Sequence, residues 1–225
     1  MTSIIVTGAT SSIGAFLLPL LATNDHRISA ISRKFHPDRP GQAITWHRCG
    51  GRLSSVETAL PSSTVLIHLA PIWSLTTEAI DDFANLGVQR VIAFSSSSRS
   101  SQQISRRQRE RQLAHRLARS EDDVVAACER RTINWTIFRP TLIYAPGHDQ
   151  NLSLVARFIK RFGFFPIAGD GRGRRQPVHA EDLAIATASA LDCTATYGRY
   201  YFLAGAEVLT YRSMVEVIAR SIGRR

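Results

Sequence analysis

The 225-residue chain predicts an α/β fold, a doubly wound parallel sheet of about seven strands with helices on both faces and a small C-terminal substrate-covering part. Three observations lead there. Apolar runs of strand length recur at Ile4–Val6, Arg27–Ile31, Ala43–Trp46, Val65–Leu69, Val91–Phe94, Trp135–Phe138 and Tyr200–Leu203. Helix-like patterns lie between several of them, at Ala15–Thr23, Ser74–Leu86, Gln108–Arg130 and Ala180–Leu191. The strand runs are apolar on both faces, as in a parallel sheet covered on both sides.

The first run enters the turn "GATSSIG", bracketed by Gly8 and Gly14. In a strand–turn–helix of this kind the first glycine allows a tight reversal and the last allows close helix–strand packing. A middle glycine lets backbone amides reach a pyrophosphate at the helix N-terminus. Ser11 holds that middle place. Its Cβ narrows the approach, while its hydroxyl is itself able to donate to a phosphate oxygen. Thr10, Ser11, Ser12 and Ile13 are therefore candidate phosphate contacts beside the two glycines. The blander reading is an ordinary strand–helix turn.

The second run indicates which dinucleotide. NAD calls for a carboxylate near the end of this strand, on the ribose 2′-hydroxyl. "RISAISRK" ends instead in Ser32, Arg33 and Lys34, and the nearest acid is Asp38. Two cations and a hydroxyl suit a 2′-phosphate, so NADP is preferred over NAD.

At this point the chain resembles, over essentially its whole length, the extended or atypical short-chain dehydrogenase/reductases, the NAD-dependent epimerase/dehydratase family. "TGATSSIG" is similar to T-G-x-T-G-x-x-G. "VLIHLAP" resembles the fourth strand, with Leu69, Ala70 and Pro71 against the cofactor. "VIAFSSSS" resembles the fifth strand, with Ser95 beside the cofactor and a catalytic serine at Ser97, or Ser96 as its close alternative. "WTIFRPTLIYAPG" is similar to the stretch beside the nicotinamide, which implies Pro140, Thr141 and Leu142 in cofactor binding. "QPVHAEDLA" resembles the later helix entry. The resemblance implies a Rossmann-type domain over residues 1–225, NAD(P) as cofactor, and epimerase/dehydratase or oxidoreductase chemistry on a small hydroxyl or carbonyl substrate such as a nucleotide sugar.

One element of the family is missing. Its acid/base pair, Y-x-x-x-K, belongs on the helix after the fifth strand, with the tyrosine near 114–117 and the lysine near 118–121. The first tyrosine of this chain is Tyr144, and its only lysines are Lys34 and Lys160. Three readings follow. His115 and Arg119, at i and i+4, stand in for the pair. Alternatively the proton comes from Ser96, Ser97, Tyr144 or water, and hydride exchange is slow, since a positioned acid or base contributes ~10²–10⁴ in rate. In the third reading the protein binds the nucleotide without turnover, as a sensor or assembly module. The expected aspartate after the third strand is also absent from "HRCGGRL".

Residues 147–176 follow a strand end, where open α/β sheets bind ligands, and contain the helix-like piece Leu152–Phe162 and then "GDGRGRRQ". With the tail from about residue 196 they form a reduced substrate-binding part. Arg174 and Arg175 suit a substrate phosphate, and His179 lines the pocket or orders the helix start.

The bulk properties fit this reading. Hydrophobic residues make up 44%, no stretch reaches the ~20 apolar residues of a membrane span, and no signal-peptide pattern opens the chain. Cys49, Cys128 and Cys193 form no metal-ligand or redox spacing, which predicts inert or mildly reactive thiols, no metal and a cytoplasmic setting. The net charge of +10 is almost all arginine, yet its densest run, Arg106–Arg119, lacks the interleaved aromatics of a nucleic-acid face. The expected partner is a small-molecule substrate, and so reduced a covering part implies a small substrate, a shallow pocket, or a second copy closing it as a homodimer. Neither nucleic acid nor membrane is expected.

Overall fold

The computed structural model describes residues 2–24, 26–33, 43–49, 62, 64–149 and 151–224. Its centre is a seven-stranded sheet built from β1 (Ser3–Thr7), β2 (Arg27–Ser32), β3 (Ile44–Arg48), β4 (Val65–His68), β5 (Arg90–Phe94), β6 (Asn134–Pro140) and β10 (Arg199–Leu203). The order is β10-β6-β5-β4-β1-β2-β3 and every pairing is parallel. All strands therefore end at one edge, and the chain reverses direction of travel across the sheet between β1 and β4.

The period-2 geometry of each strand sorts its side chains between two cores. Ile4, Val6, Val65, Ile67, Ile92 and Phe94 pack against α1 (Ser12–Ala22) and α6 (Ala180–Ala190). Ile5, Leu66, Val91 and Ala93 point to the other face, under α2 (Thr77–Asn85) and α4 (Gln108–Arg130). Completely buried Ile5, Leu66 and Ile67 each contribute about 1.5–3 kcal/mol of apolar burial.

Helix starts follow capping chemistry. Ser11 accepts from the Gly14 amide and so begins α1 three residues before its apolar pattern; Thr76 does the same for Ala79 at α2. The expected Ser74–Leu86 helix thus begins later, after a short 3₁₀ turn at Ile72–Ser74.

A third, smaller core lies beyond the C-terminal edge. There α5 (Leu152–Phe162) and α7 (Tyr211–Ser221) pack through Val155, Ile159, Met214, Val215 and Ile218. Two-residue ladders attach this layer: β7 (Ile143–Tyr144) with β9 (Val178–His179), and β8 (Arg174–Arg175) with β11 (Leu209–Thr210). Within the tail from about residue 196, β10 closes the main sheet, while β11 and α7 belong to the small layer. Asp149 anchors its entry by accepting from the amides of Ala145, Asn151 and Ser153 and from the Ser153 hydroxyl. Burial opposes charge on Asp149, but those hydrogen bonds prevail and hold its pKa below the usual carboxylate value.

Candidate functional site

Parallel topology brings the candidate residues to one edge. Gly8 follows β1, Ser32 ends β2 and Arg33 follows it, Leu69–Pro71 follow β4, Ser95–Ser97 follow β5, and Pro140 ends β6 with Thr141 and Leu142 beyond it. Lys34 lies outside the described residues, as do 50–53 of the "HRCGGRL" segment.

The two glycines of the first turn are required by space. Gly8 has φ +67, and a Cβ there would stand 2.5 Å from the Ala70 amide nitrogen. At Gly14 a Cβ would stand 2.1 Å from the Ala9 carbonyl oxygen. The first glycine thus lets β1 pass the backbone after β4, and the last seats the helix on the turn. Ser11 needs no glycine-like backbone, with φ −68 and ψ 166. Its oxygen accepts from the Gly14 amide at 3.2 Å, which leaves the hydroxyl hydrogen free to donate. The Ser12 and Ile13 amides, in the first helical turn, have no acceptor within the helix. This cradle of amides and one hydroxyl fits a pyrophosphate at a helix N-terminus, so the residues present suit a dinucleotide.

Behind the cradle stands a histidine that the apolar run "VLIHLAP" conceals. His68 is fully buried; its Nδ1 lies 2.6 Å from Thr7 Oγ1, and its Nε2 lies 3.3 Å from the Pro71 carbonyl and 3.2 Å from Ser74 Oγ. The Pro71 carbonyl only accepts, so Nε2 carries the proton and Nδ1 accepts from Thr7. Burial pushes the His68 pKa down to about 4, against a smaller opposing effect of the Pro71 hydrogen bond. The imidazole is a neutral brace between the first turn and the loop after β4.

The serines are held against β6. Ser95 and Ser97 donate their amides to the Phe138 and Pro140 carbonyls at 2.8 and 2.9 Å. The Ser95 hydroxyl turns to Glu121 of α4, and Ser96 Oγ accepts from the Ser98 amide. Ser97 N-caps a four-residue helix, α3 (Ser98–Ser101), without a side-chain capping bond. Among the described residues its hydroxyl, unlike those of Ser95 and Ser96, makes no hydrogen bond.

On α4 the side facing the sheet carries Ala114, Leu117, Glu121, Val124 and Cys128, all buried. His115 and Arg119 share a helical face, as their spacing predicts, but it is the solvent-exposed one. Arg116 is exposed as well and stacks on Trp73, its Cζ 4.2 Å from the ring centroid. Where the lysine is expected, near 118–121, the inward residue is Glu121. It is bound by Arg139 of β6 and by Arg99 of α3, whose Nε stands 2.8 Å away. A lone acid in register with Ala114, Leu117 and Val124 is the sequence signal for this buried cluster.

The structure brings Tyr144 to His179: their ring centroids are 5.0 Å apart, and Phe16 of α1 lies 5.3 Å from the same imidazole. His179 Nδ1 accepts from the Glu181 amide and N-caps α6, so it orders the helix start. Arg174 and Arg175 are exposed on β8. The Thr141 hydroxyl donates to the Gln176 carbonyl, tying the β6 end to the segment before β9. Cys49 and Cys128 are buried and Cys193 is exposed, none in a disulfide. Burial, with Glu129 adding to it, pushes the Cys128 thiol up to about 12.

A glycine-bracketed turn at the first strand of a parallel sheet, facing the ends of four further strands, defines a dinucleotide-binding α/β protein. The sequence model of the NAD dependent epimerase/dehydratase family matches residues 73–201, and the chain belongs to that family. A relative, the mitochondrial NADH dehydrogenase [ubiquinone] 1 alpha subcomplex subunit 9 of Arabidopsis thaliana, is 34% identical over 98 residues. That alignment covers 41% of this chain and 24% of the plant protein. Among solved structures, MoeE5 with UDP-glucose and NAD superposes with TM-score 0.81 at 21% identity. UDP-glucose 4-epimerase of Thermotoga maritima, with UDP-glucose, gives 0.79 at 14%. In both, the match covers 99% of this chain and 83% of the other. These likenesses establish the shared fold.

Proposed function

We propose that this chain binds NADP(H) at the C-terminal edge of its sheet and serves as a nucleotide-binding module without efficient turnover. The observation that carries this reading is α4, whose sheet-facing positions hold Ala114, Leu117 and Glu121 in the stretch where the family places its tyrosine and lysine. When bound, the nicotinamide supplies hydride exchange; the protein would have to supply the proton at the substrate oxygen. Leu117 has no proton to give, and the Glu121 carboxylate is held by two arginines and the Ser95 hydroxyl. His115 and Arg119 point to solvent, which argues against their replacing the pair.

Binding rests on other residues. Ser11, Ser12 and Ile13 would meet the pyrophosphate, Leu69–Pro71 and Pro140–Leu142 would flank the dinucleotide, and Arg33 with Ser32 would read the 2′-phosphate. Arg33 is exposed just past the end of β2, where a carboxylate would select NAD. The name of the plant relative places it in a multisubunit NADH dehydrogenase, which is consistent with a related chain acting inside an assembly.

A second reading is favoured by Ser97 and the small layer: slow hydride exchange on a small hydroxyl or carbonyl substrate, with nucleotide sugars the class named for the structural neighbours. Arg174 and Arg175 would then meet a substrate phosphate, and residues 147–176 would cover it. NADPH oxidation and UDP-sugar interconversion, followed with purified protein against carbonyl and nucleotide-sugar panels, decide between the two. The module reading predicts no sustained turnover; turnover abolished by Ser97→Ala would establish the second.

A further inference from the structure

The small layer carries a surface that neither nucleotide binding nor its own packing explains. Helix α5 buries Val155 and Ile159 against α7, yet leaves Leu154 52% and Phe162 54% exposed. Gly163, with φ +82, ends the helix in a left-handed turn and brings Phe164 to the same tip, 61% exposed. The rings are held together: Phe158 lies 4.6, 6.0 and 5.4 Å from Phe162, Phe164 and Phe165. Five consecutive residues, 160–164, are exposed, so the aromatics crown a projecting helix end.

The charge that this segment contributes has one sign. Arg157, Lys160 and Arg161 are all exposed, and Arg161 Cζ sits 5.5 Å from the Phe162 ring centroid. Residues 150–169 contain no aspartate or glutamate.

We propose that this tip docks on an anionic lipid surface, with Phe162 and Phe164 entering the headgroup boundary and Arg157, Lys160 and Arg161 meeting lipid phosphates. Exposed phenylalanines bordered by cations suit such an interface without spanning it. Self-association through the same tip is opposed, because two copies would bring six cations together. The sequence expectation of no membrane rested on span length, and no described helix is long and apolar enough to cross a bilayer. A peripheral contact needs no span.

The test is co-sedimentation of the full chain with vesicles of phosphatidylcholine alone and of phosphatidylcholine mixed with phosphatidylglycerol. The proposal predicts binding to the mixed vesicles only. Each cation near an anionic surface contributes about fivefold in affinity, so Lys160→Glu/Arg161→Glu weakens binding by at least ~25-fold. Phe162→Ser/Phe164→Ser weakens it by about tenfold or more. Arg106→Glu/Arg109→Glu, also exposed but at the start of α4 and not on α5, changes the net charge by the same amount and leaves binding nearly unchanged. All substituted residues are exposed, and an unchanged unfolding midpoint confirms that each variant folds. No binding to mixed vesicles, an equal loss in the Arg106/Arg109 variant, or full binding by the phenylalanine variant would overturn the proposal.

Discussion

Glu121, completely buried on α4, is clasped by Arg139 from the neighbouring strand β6, whose Nε stands 3.2 Å from each carboxylate oxygen. Arg99 and the Ser95 hydroxyl complete the arrangement. One acid thereby joins α3, α4, β5 and β6 directly behind the serine loop. Glu121→Ala would leave Arg139 without its counter-charge and Arg99 with only Asp122, 4.0 Å away, and removing one partner of a buried pair costs about 3–5 kcal/mol. Urea unfolding of the variant should show a loss of that order, and Glu121→Gln a smaller one. A loss below ~1 kcal/mol in Glu121→Ala would show that the cluster is solvated.

His68 makes stability depend on pH in a defined direction. Its folded-state pKa, about 4, lies below the ordinary 6.5, so the unfolded chain binds the proton first as pH falls. The full contribution is present above pH 6.5 and is lost progressively down to about pH 4. At 1.36 kcal/mol per unit the loss is roughly 3 kcal/mol. Urea midpoints from pH 7 to pH 4 should follow this slope in the wild type, and His68→Gln should flatten it.

The first turn makes two opposite predictions for small substitutions. Gly14→Ala drives a Cβ into the Ala9 carbonyl and should cost about 1–3 kcal/mol; Gly8→Ala adds a left-handed backbone penalty of about 1–2 kcal/mol. Ser11→Gly removes only the cap hydroxyl and should cost a few tenths, whereas Ser11→Ala should cost about 1 kcal/mol. Thermal unfolding of the four variants checks this order.

Thr132, just past α4, is the one described non-glycine residue with positive φ, at 55°. A β-branched side chain is strained there, and the left-handed turn after a helix favours glycine. Thr132→Gly should raise stability by about 0.5–1 kcal/mol, measurable as a higher unfolding midpoint.

Much of this architecture is legible in the sequence because burial on both faces leaves a continuous apolar run. Val65–Leu69 and Trp135–Phe138 locate β4 and β6 to within two residues. The turn after β1 is legible too, since its glycines answer a local steric demand. His115 and Arg119 show where local reasoning stops. An i,i+4 spacing states that two residues share a helical face; which face meets the sheet is decided by Ala114, Leu117 and Val124. The Glu121 cluster draws on residues 95, 99, 121 and 139, and no window of sequence contains them together. The ladders β7–β9 and β8–β11, two residues long, are too short to show a period.

The edge around Gly8, Ser11 and Arg33 is proposed to hold a dinucleotide and to prefer the phosphorylated one. The decisive experiment is calorimetric titration of the wild type and of Arg33→Glu with NADPH and with NADH. The wild type should bind NADPH more tightly than NADH, and Arg33→Glu should lose this preference while keeping its fold. Binding of neither nucleotide by the folded wild type, or equal binding of both, would contradict it.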